Sequence, residues 1–156
     1  MKSITAHAPL IEMIFLIGLV LGGVCILLNV QPFDITVTSV SLFGLGVAWF
    51  LSAYRTIELP EGAETMGMKE LLQHSIVPKI LWISMAVSVI ALALFVLDSD
   101  ARGYRPMFLI GGTTLAIELI ITAGMAVSGV RIFRSTVTVL LRAGVMLAID
   151  AYFLLR

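Results

Sequence analysis

Residues 107–130 read MFLIGGTTLAIELIITAGMAVSGV, and the only charged side chain in this stretch is Glu118. The hydrocarbon core of a bilayer is about 30 Å thick, and an α-helix needs roughly 20 apolar residues to cross it. The stretch therefore predicts a membrane-spanning helix with a carboxylate near its middle. Because ionisable groups inside a membrane are costly, Glu118 is the first candidate for a functional residue.

The composition of the whole chain indicates the same environment. Of its 156 residues, 60% are hydrophobic and 13% are charged, and the mean hydropathy is +1.08. A soluble domain does not have this composition, so we expect the surface of the protein to face the lipid bilayer. The formal net charge is zero and the basic residues are scattered, which excludes the basic surface of a nucleic-acid-binding protein.

The apolar stretches predict the architecture. We expect an all-α polytopic bundle of four to five transmembrane helices that forms one integral membrane domain over 1–156. The predicted spans are 9–30, 35–54, 78–97, 107–130 and 136–155. The first four spans form two hairpins, and residues 55–77 between the hairpins are predicted to be a polar cytoplasmic loop that contains the helix breakers Pro60 and Gly62.

The last segment, 136–155, is less certain to insert because it contains Arg142 and Asp150. A central Arg or Asp costs roughly 2.5 to 3.5 kcal/mol on the insertion scale, whereas each large apolar residue contributes only about 0.3 to 0.6 kcal/mol. The cost of the two charges thus cancels most of the insertion free energy that the apolar residues contribute. We predict a fifth span that depends on its neighbours, and the alternative is a helix that lies at the membrane interface.

The distribution of basic residues predicts the orientation. Most Lys and Arg residues fall on the side of the N-terminus, which we therefore expect in the cytoplasm, across a bacterial-type cytoplasmic (inner) membrane. Trp49 and Trp82 lie next to basic residues at the same predicted interface. Tyr104 and Tyr152 are predicted to mark the opposite one.

Three ionisable residues in the predicted spans form the candidate site. Counting 1.5 Å per residue from the cytoplasmic end, Glu118 and Arg142 lie at depths that a long Arg side chain can bridge, and Asp150 lies deeper. Thr114 and Thr122 flank Glu118 at i−4 and i+4, so one face of the helix presents hydroxyl, carboxylate and hydroxyl.

Two hypotheses explain this set. In the structural one, Glu118 and Arg142 form a buried pair that allows the last segment to insert and sets its register. In the functional one, the carboxylate of Glu118 takes up a proton or binds a cation along a hydrated path. Glu12, near the start of the first span, is interpreted as an interfacial residue.

Small residues at helical spacing predict where helices approach each other, since helices in lipid associate through close backbone contact. One such pair lies in each of four spans, and most of them are expected to make contacts inside the bundle. The pairs are Gly18 and Gly22, Gly44 and Ala48, Gly112 and Ala116, and Gly144 and Ala148.

The sequence contains no motif for a reaction or a cofactor. His7 and His74 lie outside the predicted spans, and Cys25 is the only cysteine, so we predict no haem, metal or other cofactor. No Gly-x-Ser-x-Gly elbow is present, and no catalytic residue is predicted. We therefore expect a non-enzymatic membrane protein that assembles with itself or with other membrane subunits. The alternative is a homo-oligomeric proton or cation pathway that uses Glu118, and a membrane-embedded enzyme is a more distant hypothesis.

Overall fold

The structure is a computed structural model that describes residues 7–54, 67–68, 72–98, 103–129 and 134–155. These residues form five long helices and no strand. The helices are α1 (Ala8–Leu27), α2 (Phe33–Ala53), α3 (Val77–Leu97), α4 (Tyr104–Val127) and α5 (Arg134–Leu155). All five are long and apolar enough to cross a membrane, which confirms the predicted all-α bundle and the class of integral membrane protein. The predicted polar loop lies mainly outside the described residues, and its last part forms a π-helical turn, Leu72–Ile76.

Local sequence explains where several helices begin and end. Pro9 and Pro78 occupy the first turns of α1 and α3, where the missing N–H of proline costs nothing. Asn29 has a φ of 53° and Gly129 has a φ of 80°, and these left-handed residues turn the chain just after α1 and α4. The short connection between α1 and α2 makes these two helices antiparallel, with Gly22 against Thr38 and Gly18 against Ser41.

The fifth helix lies lengthwise along the third. Arg142 faces Trp82, and further along both helices Phe153 contacts Phe95, so the residue numbers of α5 and α3 increase in the same direction. The two helices are therefore parallel neighbours, as expected if every helix reverses direction. Of the two placements predicted for 136–155, this packing favours a spanning helix, because an interfacial helix would cross the others.

The interior is apolar along most of its length. One cluster of buried side chains joins α2, α3, α4 and α5, and its largest fully buried members are Leu81, Met85 and Leu115. A second, aromatic cluster closes the other end of the bundle, where the rings of Phe108 and Phe153 stack with centroids 5.3 Å apart. The outward faces of α1, α2, α4 and α5 carry large exposed aliphatic side chains, as expected for a surface in lipid, whereas α3 packs against α2, α4 and α5 and exposes only its last residue, Leu97, among its large apolar side chains.

Glycines set the closest approach between α1 and α2. A Cβ on Gly22 would lie 3.0 Å from backbone atoms of Thr38, and one on Gly18 would collide with the side chain of Ser41. The ring of Phe15 lies over Gly44 in the same interface. Gly144 of α5 does not lie at such a close contact, because a Cβ there would meet no described atom within 4 Å.

Candidate site of buried polar residues

The guanidinium of Arg142 is bound by Glu12 of α1. Its Nη1 atom lies 2.6 Å from Oε1 of Glu12, within hydrogen-bond and ion-pair distance. The structure records no contact between Arg142 and Glu118, the pair that one of the two hypotheses assumed, among the described residues. Glu12, interpreted from the sequence as an interfacial residue, is instead the partner of this arginine.

The direction of the Arg142 side chain explains the difference. The buried face of α5 is formed by Thr136, Val139, Ala143, Met146 and Asp150. Arg142 precedes Ala143 by one residue and so points about 100° away from this face, since an α-helix has 3.6 residues per turn. The sequence predicts how deep Arg142 lies in the membrane. It does not predict the direction around the helix axis in which the side chain extends.

Two tryptophans complete the surroundings of Arg142. Nε1 of Trp49 donates a 3.2 Å hydrogen bond to the same Oε1 of Glu12. The guanidinium carbon of Arg142 lies 5.5 Å from the ring centroid of Trp82, a cation–π distance. The two indole rings are 6.0 Å apart. This cluster joins α1, α2, α3 and α5 near one end of the bundle, and sequence reasoning had placed the two tryptophans together only as interfacial residues.

Asp150 of α5 lies in the core, where α5 packs against α3 and α4. Its Oδ2 atom accepts a 2.6 Å hydrogen bond from the hydroxyl of Ser88, and neither residue is exposed. Two glycines of α4 make room for the pair. A Cβ on Gly112 would lie 3.2 Å from Cβ of Asp150, and one on Gly111 would collide with the Ser88 hydroxyl. The second carboxylate oxygen, Oδ1, has no hydrogen-bond partner among the described residues.

Glu118 lies on the buried face of α4. It shares that face with Gly111, Leu115 and Thr122, which follow the i, i+4, i+7, i+11 pattern of one helix side. Within the described part of the chain, the carboxylate of Glu118 takes part in no hydrogen bond or ion pair that the structure records. It is thus a buried carboxylate whose expected counter-ion, Arg142, is bound elsewhere.

The two threonines that flank Glu118 differ from each other. Thr122 is buried, and its hydroxyl has no partner among the described residues. Thr114 is only half-buried and donates a 2.8 Å hydrogen bond to the carbonyl of Ile110 one turn earlier. The predicted line of three polar groups therefore continues from Glu118 towards Thr122, whereas Thr114 turns to the outside.

Buried polar residues of α4 and α5 lie at successive depths in the bundle, and we call this set the polar column. The column consists of Asp150, Glu118, Thr122 and Thr136, a fully buried threonine whose hydroxyl also lacks a described partner. At 1.5 Å per residue, Glu118 lies about 9 Å along α4 from Gly112, which contacts Asp150, and Thr136 lies about 21 Å along α5 from Asp150. The column thus follows much of the roughly 30 Å thickness of a bilayer core.

A groove opens on the outer surface between α3 and α4. Its volume is about 180 Å³, and it is lined by Ser84, Gly111, Thr114 and four aliphatic residues, Ile80, Ile83, Val87 and Ile110. The hydroxyl of Thr114 bonds its own helix, so the groove offers mainly apolar surface.

The donors available to a metal ion are few. In the described ranges, no three His, Cys, Asp or Glu side chains come together as a ligand set. The chemistry that the buried residues offer is that of carboxyl and hydroxyl groups, which hold, donate and accept protons. No protein-family model, curated protein or solved structure matches this chain.

Proposed function

We propose that this integral membrane protein is a non-enzymatic component of a transmembrane proton pathway, in which Glu118 is the principal proton-carrying group. The observation that carries the proposal is the burial of Glu118 without a described counter-ion, while Arg142 is bound to Glu12. An ionisable residue that faces the interior of a membrane bundle commonly marks an ion or proton path.

The other members of the polar column support the same chemistry. A carboxyl group takes up and releases one proton, and Asp150 provides a second such group deeper in the bundle. A hydroxyl group is able to donate one hydrogen bond and accept another at the same time, as a proton relay requires, and Thr122 and Thr136 place two such groups beyond Glu118 on the side away from Asp150. Buried polar atoms are rarely left without partners in proteins, so the unpartnered oxygens of Asp150, Thr122 and Thr136 support a functional use.

The test is proton flux into liposomes that contain the purified protein. A potassium diffusion potential drives protons inward, and a trapped pH-sensitive dye records the internal pH. We expect flux well above that of empty liposomes, and we expect Glu118→Gln to lower it at least tenfold, because an amide cannot carry the proton. Folding of the variant is checked by circular dichroism and by gel filtration.

A matched pair of threonine variants on α4 provides the control. Thr122→Val removes a buried hydroxyl of the polar column, whereas Thr113→Val removes an exposed hydroxyl that bonds its own helix. The first should reduce the flux several-fold and the second should leave it unchanged. Flux equal to that of empty liposomes, or equal flux through wild type and Glu118→Gln, would contradict the proposal.

A second candidate function is that of a structural subunit that assembles with itself or with a larger membrane complex. The groove between α3 and α4 favours it, because small residues at a helix surface allow a further transmembrane helix to approach closely. In this case the ion pair and the Ser88–Asp150 bond serve only to hold the five helices together.

The mass of the complex extracted in mild detergent, with identification of every co-purifying chain, tests this second function. Ile110→Trp would fill the groove and should reduce the mass of the complex to that of one chain. Ile120→Trp is the control, since Ile120 is also exposed on α4 but does not line the groove. A wild-type chain that is monomeric and without partners would exclude the subunit role.

A further inference from the structure

Three side chains from three helices come together at the guanidinium of Arg142, two of them in contact with it and the third in contact with those two. The tryptophan–carboxylate box consists of Glu12 of α1, Trp49 of α2 and Trp82 of α3. Glu12 binds the guanidinium at 2.6 Å and also accepts the indole N–H of Trp49. The ring of Trp82 faces the guanidinium carbon at 5.5 Å.

This combination is suited to organic cations. The carboxylate supplies a full negative charge, and the face of an indole ring attracts a cation through its quadrupole. A hydrated metal ion is a poor match, because Mg²⁺ and Ca²⁺ need several oxygen ligands and the box offers one carboxylate. The box is therefore suited to a monovalent organic cation whose charge is carried on a planar or apolar group.

Arg142, the occupant of the box in this structure, is held on its inner side only. The side chain of Arg142 is 41% exposed, whereas that of Glu12 is 13% exposed. The carboxylate thus lies at the bottom of the box and the guanidinium lies on its open side. Because Arg142 has a long flexible stem, it can withdraw and extend its charge towards the membrane surface.

We propose that the tryptophan–carboxylate box is a binding site for a monovalent organic cation of the guanidinium or alkylammonium type, and that Arg142 is an internal occupant which the cation displaces. The exchange replaces one positive charge with another beside Glu12, so the carboxylate is never left unpaired. The site is separate from the polar column and does not depend on the proposed proton pathway.

The chain contains a built-in reporter of this site. Its two tryptophans are the only ones in the sequence, and both belong to the box. Intrinsic tryptophan fluorescence of the full chain, reconstituted in phosphatidylglycerol vesicles, therefore responds to the box alone. The probe is n-butylguanidinium chloride, which resembles the Arg side chain, and n-butylurea is the neutral control of similar shape. Ionic strength is kept constant with sodium chloride.

We expect the wild-type fluorescence to change saturably with n-butylguanidinium and not with n-butylurea. Arg142→Ala removes the internal occupant and should bind n-butylguanidinium at least tenfold more tightly. Glu12→Gln removes the charge at the bottom of the box and should weaken binding at least tenfold. Circular dichroism of both variants verifies that the bundle is still folded.

Two results would overturn the proposal. Absence of a saturable response in both wild type and Arg142→Ala would mean that the box binds no cation. A saturable fluorescence change in Arg142→Ala but none in wild type would mean that Arg142 holds the helices together and is not displaced by a cation. A second titration identifies the source of the natural cation by comparing vesicles of equal phosphatidylglycerol content, and hence equal surface charge, whose remaining lipid is either phosphatidylcholine or a neutral diglycosyl-diacylglycerol. Weaker binding in the phosphatidylcholine vesicles assigns the box to choline headgroups, and equal binding assigns it to free cations.

Discussion

Ser88 donates a 2.6 Å hydrogen bond to Asp150 between two parallel helices, and neither residue is exposed. The contact joins α3 to α5 inside the bundle, where α4 offers only the glycines Gly111 and Gly112. A fully buried carboxylate of this kind is strongly dependent on its single described partner. The arrangement leads to predictions about stability as well as function.

Removal of the Ser88 hydroxyl should destabilise the bundle. Ser88→Ala leaves the carboxyl of Asp150 without its described hydrogen bond, which we expect to cost about 1 to 3 kcal/mol of unfolding free energy. Unfolding by SDS in mixed micelles, followed by circular dichroism, measures the change. Ser52→Ala is the control, because the Ser52 hydroxyl bonds the carbonyl of Ala48 in its own helix, and its effect should be near zero. Equal stability of Ser88→Ala and wild type would show that the bond contributes nothing.

The glycine beside Ser88 should be sensitive to a single methyl group. In Gly111→Ala the new Cβ collides with the Ser88 hydroxyl, so we expect a loss of about 1 to 3 kcal/mol from overpacking. The control is Gly124→Ala on the same helix, where a Cβ would meet nothing within 4 Å, and which should be neutral or slightly stabilising. The same SDS titration compares the two. A neutral Gly111→Ala would argue against close packing of α3 on α4.

Two adjacent glycines of α1 should respond differently to enlargement. Gly22→Leu should force α1 away from α2, because a Cβ at Gly22 already lies 3.0 Å from the backbone of Thr38. Gly23→Leu should be tolerated, since a Cβ at Gly23 meets no described atom within 4 Å. The rate at which a thiol reagent modifies Cys25 reports separation of the two helices and should rise several-fold only for Gly22→Leu. Equal rates in both variants would contradict the packing of α1 on α2.

A comparison of two double-mutant cycles should identify the partner of Arg142. The cycle of Glu12→Gln with Arg142→Gln should give a coupling free energy of about 0.5 to 3 kcal/mol, the range found for residues in contact. The cycle of Glu118→Gln with Arg142→Gln should give a coupling below about 0.5 kcal/mol, as for sites without a shared contact. The measurement is again unfolding in SDS. A larger coupling to Glu118 than to Glu12 would restore the pair predicted from the sequence.

The predicted spans agree with the helices because both follow from the same physical requirement. The described α2, for example, covers Phe33–Ala53 where the sequence predicts 35–54, since charged and helix-breaking residues mark where the chain leaves the apolar phase. The choice of Glu118 as a candidate functional residue followed from the same reasoning, because a charge inside an apolar span is costly. The pairing of Arg142 with Glu12 was not predicted, because the cost of burial gives the depth of a charge and not the side of the helix from which its side chain extends.

Local residue chemistry was enough to predict an integral membrane protein, its four to five apolar helices and the presence of costly charges inside them, because transfer free energies add along the chain. The rotation of each helix about its axis and the choice of neighbours depend on contacts between distant residues. Those contacts alone bring Glu12 to Arg142, combine two tryptophans with a carboxylate, and enclose Asp150 with Ser88 beside two glycines. Close packing decides them, since each helix must be rotated so that its side chains fit between those of its neighbours.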